Sequence, residues 1–315
     1  MSLGTWVRVT AGFVGIAVAS VAGLLYVYQS ALVYPSTFPE GSRTHVDTPD
    51  SLDMPYTEHR LTTPDRVKLH VYAMSHEDDA SRPTVILFHA NAGNMGHRLP
   101  IALQFYKRMG CHVVMLSYRG YGLSTGDPTE AGLRIDAQTV LDWVRSNEKL
   151  RSSKILVYGQ SIGGAVAIDL AARNPSTVRS VIVENTFLSI PLLIPSVLPV
   201  LRHFTFLCRE IWPSNEAIQR IPASTPILFL SGANDELVPP AHMKKLYELS
   251  VSTAKEFHTF KDAMHNDTWI TKSYFDAIAL FLNKNDFYVP LTASEEKAML
   301  NSQTQDLTKH PKEDL

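Results

Sequence analysis

The stretch Ile155-Leu156-Val157-Tyr158-Gly159-Gln160-Ser161-Ile162-Gly163-Gly164-Ala165-Val166-Ala167 decides the fold. Ile155 to Tyr158 reads as a short apolar strand, and the small residues from Gly163 onward open a helix. Between them, Gly159-Gln160-Ser161-Ile162-Gly163 has the spacing G-x-S-x-G. A serine on so tight a strand-to-helix turn needs strained backbone angles, and only small residues two positions before and after it avoid a clash. Gly159 and Gly163 meet that demand, so Ser161 is expected to be a nucleophile.

Working outward, short apolar or β-branched runs occur at Val67 to Ala73, Thr84 to Phe88, His112 to Tyr118, Val178 to Val183, Ile227 to Leu230 and Glu256 to Phe260. Helical spacing fills the intervals at Leu99 to Arg108, Glu130 to Ser146, Gly163 to Arg173, Ala241 to Leu249 and Thr268 to Leu282. Each is long enough to cross over between parallel strands. The alternation predicts an α/β fold, a mostly parallel sheet covered on both faces.

With 315 residues, 45% of them hydrophobic and 19% charged, the chain can bury one sizeable core. A formal net charge of -2, with no basic run interleaved with aromatics, argues against a nucleic-acid partner. The 2 cysteines, Cys111 and Cys208, lie in apolar surroundings without metal-ligand spacing and are expected as buried thiols. No metal or cofactor is expected, and the sequence leaves homo-oligomerisation open.

A serine hydroxyl is a poor nucleophile at neutral pH. It requires a base, and the base needs an acid to hold its tautomer and stabilise the imidazolium. His265, in Ala263-Met264-His265-Asn266-Asp267, follows the last strand and precedes the last helix. Acid candidates are Asp235, in a turn just past an apolar strand, its neighbour Glu236, and Asp262. Charge developing on a carbonyl oxygen also needs donors. The Ile162 amide, next to the nucleophile, supplies one. The loop His89-Ala90-Asn91-Ala92-Gly93-Asn94 should supply the other, by position the Asn91 amide, with Ala92 as the neighbouring alternative.

Taken together, His89 to Asn94, Tyr118-Arg119-Gly120-Tyr121-Gly122 with Ser124, the Ser161 turn, Glu184-Asn185-Thr186-Phe187, the Asp235 turn and His265-Asn266-Asp267 resemble the α/β-hydrolase superfamily. Within it they are similar to the membrane-anchored branch that includes the fungal bud-emergence (Bem) proteins and ABHD-type serine hydrolases. These stretches span about two-thirds of the chain. One departure is Ala90, where many relatives carry Gly. The resemblance implies an α/β-hydrolase fold with a mostly parallel eight-stranded sheet and a small cap insert, placed at about 187–220. It also implies the order Ser, acid, His, and family spacing favours Asp235 over Glu236 and Asp262, giving a Ser161, Asp235, His265 triad.

From Val9 to Tyr28 the sequence carries no charge, a length that matches a transmembrane helix. Tyr26, Tyr28 and Tyr34 stand where an interfacial aromatic belt would be. A retained anchor is expected rather than a cleaved signal peptide, because the apolar run exceeds a typical signal core. Arg8 and the terminal amine bias residues 1–8 to the cytosol, which sets the catalytic domain facing a lumen, that of the endoplasmic reticulum or another endomembrane. Ala11, Gly15, Ala19 and Gly23 recur every fourth residue and could line a helix contact. The C-terminal Lys312-Glu313-Asp314-Leu315 only approximates a retrieval signal. Residues 29–55, rich in Pro, Ser, Thr and Asp in their later part, read as a tether, 56–285 as the hydrolase domain, and 286–315 as a polar tail. The sequon Asn266-Asp267-Thr268 follows His265, where a glycan would obstruct the site, so it is expected to stay unmodified.

The uncharged stretch Phe187 to Leu201 falls where this fold inserts its cap, and apolar caps line acyl pockets. With the anchor, it points to an acyl ester or thioester, on a lipid or an acylated protein, at a bilayer. A prolyl-oligopeptidase-like peptidase and a catalytically silent membrane scaffold are the alternatives.

Overall fold

The computed structural model of the chain describes residues 2–77 and 82–289. Eight strands form one sheet: β1 (Thr57–Thr62), β2 (Lys68–Met74), β3 (Thr84–Phe88), β4 (His112–Ser117), β5 (Ile155–Gln160), β6 (Val178–Glu184), β7 (Ile227–Gly232) and β8 (Lys255–Phe260). Their order is β1-β2-β4-β3-β5-β6-β7-β8. β2 runs antiparallel to both β1 and β4, and every pairing from β4 through β8 is parallel. The sheet is therefore the expected eight-stranded, mostly parallel one.

The central strands alternate between two cores, because successive side chains leave a strand on opposite faces. Ile86, Phe88, Ile155 and Val157 join one apolar cluster with α3 (Glu130–Ser146), α4 (Ile162–Arg173) and α7 (Pro240–Leu249). Val85, Leu87, Leu156 and Tyr158 join the other, with α2 (Leu99–Leu103) and α8 (Tyr274–Lys284). These side chains are almost wholly removed from water, each contributing about 1.5–3 kcal/mol of transfer free energy.

Local differences from the sequence reading have physical causes. β1 escaped it because Thr57-Glu58-His59-Arg60-Leu61-Thr62 is polar and largely exposed, as an antiparallel edge strand can be. The helix expected over Leu99–Arg108 ends at Leu103 and continues as a single π turn over Gln104–Arg108. The one expected over Thr268–Leu282 is a 3-10 turn, Thr268–Ile270, followed by α8.

Between β6 and β7 lies an insert of short helices, α5 (Ile190–Val197) and α6 (Ser214–Ala217) joined by 3-10 turns. At the N-terminus α1 (Leu3–Val33) is a single helix of 31 residues, about 46 Å long at 1.5 Å per residue. Among the described residues no helix is long and apolar enough to cross a membrane. The side chains at positions 7, 9, 11, 14, 17 and 18 of α1 lie outside the described set. So do residues 290–315, with most of the expected tail and its last four residues.

The stretch read as a tether is bonded to the domain along its length. The Gly93 amide donates to Phe38 O (2.8 Å), and the Asn94 side-chain amide donates to Ser42 O (2.9 Å) and His45 O (2.8 Å).

Candidate active site

Ser161 stands between the end of β5 and the start of α4 with φ 55° and ψ −120°, a left-handed conformation that costs a residue with a Cβ free energy. The turn holds because its neighbours have no side chains. A Cβ on Gly159 would overlap the Gly163 carbonyl, and one on Gly163 would overlap the Phe88 carbonyl at the end of β3. The same crowding presses the elbow against the loop that follows β3. The Ser161 amide donates to Glu184 O (2.9 Å), and the Thr186 hydroxyl donates to Ser161 O (2.8 Å), tying the elbow to the end of β6.

Asp235 follows β7 and His265 follows β8, so both reach the edge of the sheet where β5 ends in Ser161. They meet there: His265 Nδ1 lies 2.8 Å from Asp235 Oδ2, with both side chains buried. The other carboxylate oxygen, Asp235 Oδ1, accepts from the amides of Leu237 (3.0 Å) and Val238 (2.7 Å). Both oxygens of that carboxylate are thus engaged, and Nδ1, facing a carboxylate, is the protonated nitrogen, leaving Nε2 as a base. Glu236 is exposed and touches His265 only at its backbone, accepting from the His265 amide (3.0 Å). Asp262 is exposed. Among the described residues neither the Ser161 hydroxyl nor His265 Nε2 is engaged in a hydrogen bond, which leaves both available.

The loop after β3 is rigidly held. Tyr121 donates its hydroxyl to Asn91 O (2.8 Å), and the Asn91 side chain donates to Val33 O at the end of α1 (3.3 Å). His89 is buried, donating from Nδ1 to Ala90 O (2.6 Å), and Tyr118 donates its hydroxyl to His89 O (3.1 Å). Burial pulls the His89 imidazole down to about 3, against the hydrogen bond to Ala90 O that raises it. The backbone amides of Asn91 and Ile162 have no acceptor among the described residues, which leaves both as donors.

Residues 83–205 match the model of the alpha/beta hydrolase fold family. Protein bem46 of Schizosaccharomyces pombe is 50% identical over 285 residues, covering 89% of this chain and 94% of that protein. The chain belongs to the α/β-hydrolase family. Within it, the uncharacterized membrane protein YNL320W of Saccharomyces cerevisiae is 44% identical to this hydrolase over 276 residues (88% of this chain, 96% of that one). The alpha/beta hydrolase domain-containing protein WAV2 of Arabidopsis thaliana is 38% identical over 301 residues, covering 90% and 96%. The fold of an esterase from Pyrococcus furiosus superposes with a TM-score of 0.63 at 22% identity, covering 76% of this chain and 95% of that one.

This α/β-hydrolase also uses residues to which the sequence reading assigned no role. The carbonyl of His265 accepts from the side-chain amides of Gln160 (3.1 Å) and Asn185 (3.0 Å). Asn185 in turn accepts from the Gly232 amide (2.8 Å) and donates to Thr268 Oγ1 (2.8 Å). Behind them Glu184 is fully buried, held by the hydroxyls of Tyr158 and Tyr274, and burial pushes its carboxyl up. The Glu184-Asn185-Thr186-Phe187 motif signalled this brace, but only coordinates give its direction. A cavity of about 200 Å³ lined by Lys154, Val178, Pro226 and Phe287 opens at the opposite ends of the strands, remote from Ser161.

Proposed function

We propose that this chain is a membrane-anchored serine hydrolase that cleaves acyl esters or thioesters through an acyl-serine intermediate. The observation that carries the reading is the buried 2.8 Å contact of His265 Nδ1 with Asp235 Oδ2 at the sheet edge where Ser161 sits on its strained turn. In the reaction His265 Nε2 takes the Ser161 proton, and the hydroxyl oxygen attacks the carbonyl. The Asn91 and Ile162 amides hold the oxyanion, and the imidazolium returns its proton to the departing alcohol or thiol. Water, deprotonated by His265, then releases the acid and restores Ser161. No cofactor enters this sequence.

The anchor is α1. Its support is the charge-free stretch Val9 to Tyr28, the outward exposure of Phe13, Ile16, Val21, Leu24 and Val27, and the membrane designation of the yeast relative. Arg8 biases the hydrolase domain to the lumenal side of an endomembrane.

The test is labelling of the full chain by a fluorophosphonate probe, with rates on matched thioester, oxygen-ester and dipeptide-amide substrates. Labelling is expected in the native chain and absent in Ser161→Ala, with ester or thioester turnover exceeding amide turnover. A folded native chain that resists the probe would support a scaffold, and faster amide cleavage a peptidase.

A further inference from the structure

We propose that the insert between β6 and β7 is a lipid-contacting surface, seated at the acyl–headgroup boundary of the bilayer, so that acyl substrate reaches Ser161 sideways from the membrane. This rests on the anchored-hydrolase reading above and names where its substrate resides.

The height of the insert is set by its bonds to α1. Gln29 is the first residue after the apolar stretch that ends at Tyr28. Its side-chain amide donates to Leu207 O (3.3 Å), and its side-chain oxygen accepts from the amides of Arg209 and Glu210. One turn on, Ser30 and Tyr34 donate their hydroxyls to the two oxygens of Glu210 at 2.8 Å each, and Trp212 Nε1 donates to Tyr34 Oη (2.9 Å). The Arg209 guanidinium lies 4.7 Å from the centre of the Tyr26 ring. Residues 207–212 therefore cannot slide along the helix. Where α1 leaves the hydrocarbon, the insert is beside it, with Tyr26, Tyr28 and Arg209 at headgroup level, the depth that amphipathic rings and cations prefer.

At that depth the insert is apolar and outward-facing. Val200 and Phe206 are each 78% exposed, and Leu192, Val197, Leu198 and Phe204 are exposed as well. From Phe187 to Leu207 the only charged residue is Arg202, and the buried Glu210 is spoken for by α1. A surface this apolar, joined to the helix proposed as the anchor and edged by arginines rather than acids, matches lipid. The other end of the insert begins at the serine, since Thr186 donates to Ser161 O (2.8 Å) and Ile190 is buried three residues beyond Phe187. The insert is thus tied at one end to the Ser161 turn and at the other to α1.

The experiment places single cysteines at Val200, Phe206 and, as a control, the exposed Ser146 on α3, in a Cys208→Ala background. The remaining Cys111 is buried, and burial pushes its thiol up to about 12, so it escapes labelling. Each full-length variant carries a nitrobenzoxadiazole fluorophore, is reconstituted into phosphatidylcholine vesicles, and is quenched with lipids spin-labelled along the acyl chain. Labels at 200 and 206 should be blue-shifted and quenched at least about twofold more than the label at 146. Equal quenching at all three sites overturns the proposal. Energy transfer between copies labelled at 206 that persists in detergent also overturns it, in favour of a second copy as the occupant. Fluorophosphonate labelling of the same samples reports on Ser161 separately: retained labelling with an unquenched insert sinks only the lipid surface, and lost labelling in the native chain with a quenched insert sinks only the hydrolase.

Discussion

Asp235 spends one carboxylate oxygen on the backbone amides of Leu237 and Val238 and the other on His265 Nδ1. An amide at this position cannot serve both. Its NH2 would face either the two amides or the Nδ1 proton, and the imidazole would turn to the wrong tautomer. Asp235→Asn is therefore expected to lower kcat for a model ester by about 10⁴-fold, while Glu236→Gln changes it by less than about tenfold. Equal losses in the two variants, measured on protein of matched thermal stability, would move the acid to Glu236. Ser161 and His265 were legible as candidates because their surroundings carry local rules, glycines at fixed offsets and a histidine between the last strand and helix, whereas a turn after a strand left Asp235 and Glu236 both open and only the family resemblance favoured Asp235. Gln160 and Asn185 were not, because their partner is a backbone carbonyl, 105 residues away from Gln160 and 80 from Asn185, and a carbonyl leaves no mark in sequence.

Among the elements, the loop after β3 depends on a histidine that must stay neutral. Burial holds the folded-state His89 at about 3, below its ordinary 6.5. The unfolded chain thus binds the proton more readily, and stability is lost as pH falls from about 6.5 toward 3, by about 1.4 kcal/mol per pH unit. Between about pH 7 and pH 5 the thermal midpoint in detergent should drop, and the drop should be smaller in His89→Phe, whose midpoint at neutral pH is itself lower. An unchanged pH slope in that variant would show that other groups set it. Elements with a strong period, such as α3 and the buried strands, were readable. The polar edge strand β1 and the π turn after α2 were not, because the pairing across β2 and the packing of Phe105 decide them from outside their own residues.

At the level of the whole molecule, residues 33–45 hold the loop after β3 with four hydrogen bonds, from Asn91 to Val33, Gly93 to Phe38, and Asn94 to Ser42 and His45. At about 1 kcal/mol each, their removal is a substantial loss for a domain of marginal stability. A chain starting at Tyr56 should react with the fluorophosphonate at least about tenfold more slowly than one starting at Gln29, and melt lower. Similar rates would make residues 29–55 dispensable to the site. Composition could identify this stretch only by what it lacks, an apolar period. Its role lies in main-chain carbonyls that any sequence possesses.

Val33, the last residue of α1, shares its carbonyl oxygen with the side chain of Asn91. A helix is stiff along its axis, so a load on one end arrives at the other. The exit of α1 and the loop after β3 are thereby coupled: a shift of the helix end is expected to carry the Asn91 side chain with it.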